Sequence, residues 1–167
     1  MTKIIEFENQ NITITWTLLL IGYKSEYAYS NELLSSDIID YSIEIFEKFV
    51  NNELISSLIV ADNEVEFYTC LKKLSEEEKV DLEFELRKWR AIKISQLLNM
   101  NFSDQLELIM NLSDFWLSIE TPCDIPIEIQ GVNNNVSPDL YYSSDNIKNI
   151  IEAQRKWLAN EMISLKN

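Results

Sequence analysis

Along most of the chain, apolar residues recur three and four positions apart, the spacing that gathers them on one side of a helix. Ile38, Ile45, Phe46 and Phe49 follow it, with Ser36 as N-cap and Asp37 in the first turn, which predicts a helix to about Val50. Leu54, Ile55, Leu58 and Ile59 predict a short helix within 51–61. Asp62 then caps a third, with Val65, Tyr68 or Thr69, and Leu71 inward. The longest element is expected from Ser75 to about Leu98, opened by a capping box of Ser75 and Glu78. Its first half carries Glu76, Glu77, Glu78, Asp81, Glu83 and Glu85 and its second half Arg87, Lys88, Arg90 and Lys93, a polarity that offsets the helix dipole and reads as a solvated helix. A further helix starts at Ser103 and passes through Leu106, Ile109, Met110, Leu112, Phe115, Trp116 and Ile119 until Thr121-Pro122. Ser144 caps the last, whose Ile147, Ile150, Ile151, Trp157 or Leu158, Met162 and Leu165 form an apolar stripe.

Two stretches are less regular. Lys3 to Glu8 reads as a short strand or an irregular lead-in, and in Ile12 to Tyr23 a helix is favoured because the Leu18–Ile21 run stops at Gly22. Glu120 to Ser143 holds all three prolines, Pro122, Pro126 and Pro138, and its alternating Ile125, Ile127 and Ile129 leave room for a short edge strand. Connectors of this length are usually functional or disordered. No repeat or Pro/Gly/Ser-rich linker divides the 167 residues, so the expected fold is mainly α, one domain of about six helices.

Composition narrows the chemistry. With no His there is no Ser-His or Cys-His dyad and no imidazole metal site, and two Gly leave no Gly-rich phosphate loop. No catalytic, cofactor-binding or metal-binding residue is assigned. Cys70 and Cys123 are the only cysteines, which suits free thiols in a reducing cytoplasm better than a disulfide framework. The stretch Ile12–Tyr23 is about half the ~20 residues a membrane span needs, and no signal-peptide pattern precedes it.

Fourteen basic and 28 acidic residues give a net charge of −14, which opposes nucleic-acid binding and favours basic protein partners. Half of that excess falls between 99 and 143, where Asp104, Glu107, Asp114, Glu120, Asp124, Glu128 and Asp139 occur and no Lys or Arg lies between Ile94 and Ile147. Asp104, Glu107, Asn111, Asp114 and Ser118 are spaced 3, 4, 3, 4 and share one face of the Ser103 helix, opposite Leu106, Ile109 and Met110. Like charges at those spacings destabilise a helix by a few tenths of a kcal/mol each, so the segment is a candidate interaction surface as well as a solubility surface. Tyr141 and Tyr142, beside Asp139, suit the centre of such an interface, or equally a loop tucked onto the core. The four Trp, at 16, 89, 116 and 157, fit core packing.

Trp16 to Glu47 carries a further pattern: a Trp and an apolar run ending in Gly22-Tyr23, a polar spacer, then Ser36-Asp37-Ile38-Ile39-Asp40-Tyr41-Ser42-Ile43-Glu44. It resembles the N-terminal signature of the bacterial family catalogued as domain of unknown function 2247. The later part is similar too, with Trp89, the acidic-apolar helix at Leu106–Ile109, and a Pro-containing segment before a last helix bearing Trp157. Asp124-Ile125-Pro126 departs from it, lacking an aromatic beside the proline. The resemblance implies a largely helical immunity-type protein of a polymorphic toxin system, and it carries over no functional residue. The expected function is therefore binding and neutralising a cognate, basic toxin domain through Asp104, Glu107, Asp114, Glu120, Asp124, Glu128, Asp139, Tyr141 and Tyr142. The alternative is a non-enzymatic helical adaptor or housekeeping protein without a toxin partner, and an all-carboxylate metal enzyme is the third class.

Overall fold

The computed structural model describes residues 2–48 and 52–166. Among the described residues there are nine helices and no strand: α1 Ile4–Asn9, α2 Trp16–Tyr23, α3 Ser35–Lys48, α4 Glu53–Ile59, α5 Glu64–Glu78, α6 Leu82–Asn99, α7 Gln105–Ser118, α8 Pro138–Tyr141 and α9 Ser144–Ser164. The mainly α class is as the periodicity implied. Contacts group the chain into two compact units that divide inside α6, one holding the chain through Arg90 and the other Ala91–Leu165.

In the first unit Lys3 to Glu8 forms neither a strand nor a loop but the helix α1. Its first turn is held by the Lys3 N–H donating to the Glu6 carboxylate at 2.9 Å, and Ile4 and Phe7 face inward. Asn11, at φ 55°, takes the left-handed closing position that the sequence does not mark with glycine, and the Ile12 N–H returns to the Phe7 carbonyl. Helix α2 begins only at Trp16, with the Thr15 hydroxyl accepting from the Leu18 N–H at 3.0 Å. Gly22 lies within α2 instead of ending it, because Trp89 packs directly on it: an added Cβ would overlap the Trp89 ring and sit 2.9 Å from Leu33 Cδ1. Trp89 is fully buried between Phe7 and Tyr29, and its indole N–H donates to the Leu18 carbonyl at 2.9 Å.

Helix α3 starts one residue before Ser36, with Asp37 accepting from the Leu34 N–H, and its expected end at Val50, together with Phe49, lies outside the described residues. Asn63, not Asp62, caps α5, which buries Phe67, Leu71 and Leu74 and leaves Val65 exposed.

The continuous helix expected over 75–98 is two helices. The chain turns at Lys79, φ 51°, and restarts where Asp81 accepts from the Glu83 N–H at 3.0 Å. Ser75 and Glu78 face Thr17: the two hydroxyls are 2.8 Å apart and Glu78 accepts the Thr17 N–H at 3.0 Å. The pair thus closes the open end of α2 instead of starting a helix of its own. Nor is the charge run solvated throughout. Glu85 and Lys88, 1% and 2% exposed, are paired at 2.8 Å, with Lys88 also donating to the Thr13 carbonyl and Thr15 donating to Glu85. Both ions are satisfied on each side, which is what a buried pair requires.

In the second unit α7 and α9 pack around Ile94, Ile109, Leu112, Trp116, Ile147, Ile150 and Ile151. Trp116 meets Trp157 edge-on at 5.1 Å. Helix α9 starts at Ser144 itself, so Ser143 is the N-cap residue and its hydroxyl turns back to the Leu140 carbonyl. The 120–143 segment holds no strand among the described residues. Ile125, Ile127 and Ile129 nonetheless pack onto the Trp116 cluster, so the alternation marks an inward face without a pairing partner. Turns at Gly131 and Asn133, both at positive φ, and the Asn134 amide donating to the Ile129 and Val132 carbonyls shape the rest, and Pro138 opens the four-residue α8.

Candidate functional site

The acidic surface belongs to the second unit. Asp104, Glu107, Asp114, Glu120, Asp124, Glu128 and Asp139 are all exposed. They do different work. Asp104 caps α7, accepting the Glu107 N–H at 2.9 Å. Glu107 accepts from the Ser103 hydroxyl at 2.7 Å and the Ser103 N–H at 2.9 Å, and these bonds hold its carboxyl below the ordinary range. Among the described residues Asp114, Glu120, Glu128 and Asp139 have neither an ion pair nor a side-chain hydrogen bond.

The two tyrosines separate. Tyr141 is 4% exposed in the Ile109–Ile150 cluster, with its hydroxyl donating to the Glu128 carbonyl at 2.8 Å. Burial raises the pKa of that hydroxyl. Tyr141 is therefore the loop residue tucked onto the core, and it pins α8 beside α7. Tyr142 is half-buried, edge-on to Tyr141 at 5.0 Å.

Two open clefts border this surface. A cleft of about 670 Å³ lies between the start of α7 and α9, with Met100 and Phe102 in its wall and Asp104, Lys148 and Arg155 at its edges. A second, about 490 Å³, lies between the 126–128 turn and α9, with Glu128 and Leu140 at its mouth. Of the seven carboxylates Asp104 lines the first cleft and Glu128 the second, so they do not converge inside one. Among the described residues no group of three or more Asp, Glu or Cys side chains gathers as a metal site would need. What the arrangement offers is a set of separated anionic acceptors facing water, suited to a cationic surface.

The buried side of α7 is Ile109, Leu112 and Trp116, so the expected inward placement of Leu106 and Met110 is not observed. Leu106, Met110 and Leu117 are 38%, 52% and 46% exposed. The wheel held the signal: Leu112 and Trp116 centre the apolar arc away from Leu106 and Met110.

Among the described residues the fold is all-helical, and the chain is acidic, with its candidate site an exposed anionic face. No described helix is long and apolar enough to cross a membrane. The family described as an uncharacterized protein conserved in bacteria, DUF2247, matches residues 4–162, and the chain belongs to it. No curated protein and no solved structure matches the chain.

Proposed function

We propose that this chain is an immunity-type protein, which binds a basic toxin domain in the cytoplasm and blocks it. The observation that carries the reading is the run from Ile94 to Ile147 without a base, whose carboxylates all face solvent and five of which, Asp114, Glu120, Glu128, Asp139 and Asp145, have no partner among the described residues. A toxin that cleaves nucleic acid needs a cationic cleft for phosphates, and an opposed anionic face both steers encounter and competes for that cleft. The free thiols Cys70 and Cys123 suit a reducing compartment.

The test starts from the neighbouring reading frames: a toxin-like domain encoded beside this gene is expressed with and without it. Rescue of growth, with association slowing at least tenfold between roughly 0.05 and 0.5 M salt, is the expected result. Replacing Asp114, Glu128 and Asp139 by Asn, Gln and Asn should slow association further while leaving the α7 cap intact. Absence of rescue, or of any toxin-like neighbour, returns the chain to the helical adaptor reading.

A further inference from the structure

The outer side of α7 is not uniformly polar. At 100° per residue, Leu106, Met110 and Leu117 fall within an arc of roughly 40° and extend over ~16 Å of helix. All three are substantially exposed. Asp114 and Glu107 lie roughly 40° and 60° beyond the Met110 edge of that arc. On the opposite edge Tyr141 packs in one cluster with Ile109 of α7, which brings α8, with exposed Asp139 and Leu140, alongside. The result is an apolar strip three turns long with carboxylates on both margins.

A second copy of this chain is a poor occupant, because its own strip carries the same acidic margins and like charges would face each other. A helix with an apolar stripe and flanking Lys or Arg matches the strip in both respects, its apolar side chains meeting Leu106, Met110 and Leu117 and its bases the margins. We infer that the α7 face docks a positively charged amphipathic helix of a protein partner. The inference deepens the partner-binding reading above and rests on it: the carboxylates give rate and orientation, and the strip supplies the water-excluded centre that makes the complex last.

The test uses the full chain and a synthetic 14-residue Leu/Lys peptide with leucines at helical spacing. Its controls are a scrambled peptide of the same composition and a Leu/Glu peptide of the same apolar pattern. Expected are saturable 1:1 binding by calorimetry, at least tenfold weaker binding of both controls, and backbone NMR shifts concentrated on 105–118 and 138–142. The double variant Met110→Ser, Leu117→Ser should bind at least tenfold more weakly, with its circular dichroism unchanged because both side chains are surface-exposed. Equal binding of the scrambled peptide would reduce the face to a charge effect and overturn the inference. So would unaltered affinity of the double variant, no saturable binding, shifts elsewhere, or sedimentation showing that the strip pairs two copies. These readouts need no toxin, so failure of growth rescue with intact peptide binding rejects the immunity reading alone, and the converse rejects the α7 site alone.

Discussion

Gly22→Ala is expected to destabilise the protein, although a helical Gly→Ala replacement ordinarily stabilises by up to about 1 kcal/mol. The methyl group would overlap Trp89 Cζ2 and lie 2.6 Å from Trp89 Cη2 and 2.9 Å from Leu33 Cδ1. Carbon pairs prefer roughly 3.5–4.0 Å, so something must move. Trp89 is badly placed to do so. It is stacked on Tyr29 at 5.7 Å, meets Phe7 edge-on at 5.0 Å and donates its N–H to Leu18 at 2.9 Å, and displacement loosens all three contacts. The Gly22 carbonyl also accepts the Glu32 and Leu33 N–H groups at 2.8 and 2.9 Å, which resists a shift of the helix backbone. Overpacking costs about 1–3 kcal/mol, and an overlap this close to an immobile ring puts it at the upper end, so that after the propensity gain the net loss is about 2 kcal/mol. Urea unfolding reads it as a lower midpoint at unchanged m, and calorimetry as a Tm lower by roughly 4–8 °C. Combining Gly22→Ala with Trp89→Leu should recover at least about 1 kcal/mol relative to additivity, since the smaller side chain frees the methyl's space. An unchanged or raised midpoint for Gly22→Ala, or strict additivity in the pair, would refute the close approach of Trp89 as the reason for glycine.

Lys88→Met strands the buried Glu85 carboxylate beside the Thr15 hydroxyl and bares the Thr13 carbonyl, so a loss of about 3–5 kcal/mol is expected in denaturant unfolding. The double variant Glu85→Leu, Lys88→Met should recover much of it, and a single-variant loss under about 1 kcal/mol would contradict the buried pair. Burial, opposed by the Trp16 and Thr17 N–H groups, holds the Glu78 carboxyl above its ordinary range. A raised folded value favours the protonated form, so this contribution to stability is complete below the unfolded pKa and disappears as pH rises through the folded one. Glu78→Gln keeps an acceptor for Thr17 but does not titrate; its stability relative to the native chain should therefore rise from about pH 4 towards neutrality, and a flat or falling difference rejects the assignment.

Helical period was the most legible property of the chain, and it located α3, α4, α7 and α9 to within a few residues. Three of the errors share one physical origin: a side chain that suits a local role serves a distant one. Ser75 and Glu78 have capping-box spacing, yet both bond to Thr17, some sixty residues earlier in the chain. Glu85 and Lys88 have the spacing of a solvated helix pair, and only tertiary contacts with Thr13 and Thr15 make burial tolerable. Gly22 resembles a helix stop because the ring of Trp89 is invisible at that distance along the chain. At the candidate surface, polar patterning placed the carboxylates outside, whereas the exposure of Leu106 and Met110 follows from where Leu112 and Trp116 set the buried arc.

These differences alter what the charge of −14 means. A carboxylate whose acceptor sites are filled by its own chain contributes to the fold and offers little to a partner. Around α1, α2 and α6, Glu6, Glu32, Glu78, Glu83 and Glu85 are of that kind, bonded to Lys3, Thr2, Thr17, Arg90 and Lys88. In the stretch from Asp104 to Asp139 the pattern changes after the first turn of α7. Asp104 and Glu107 are taken up by capping, and Asp114, Glu120, Glu128 and Asp139 are left to solvent among the described residues. Exposed like charges without counterions repel one another and contribute nothing to folding, and they gain favourable partners only when a cation arrives from outside. A working surface is marked less by the number of acids than by which of them the fold leaves unbonded, and two of these, Asp114 and Asp139, border the apolar strip exposed on α7.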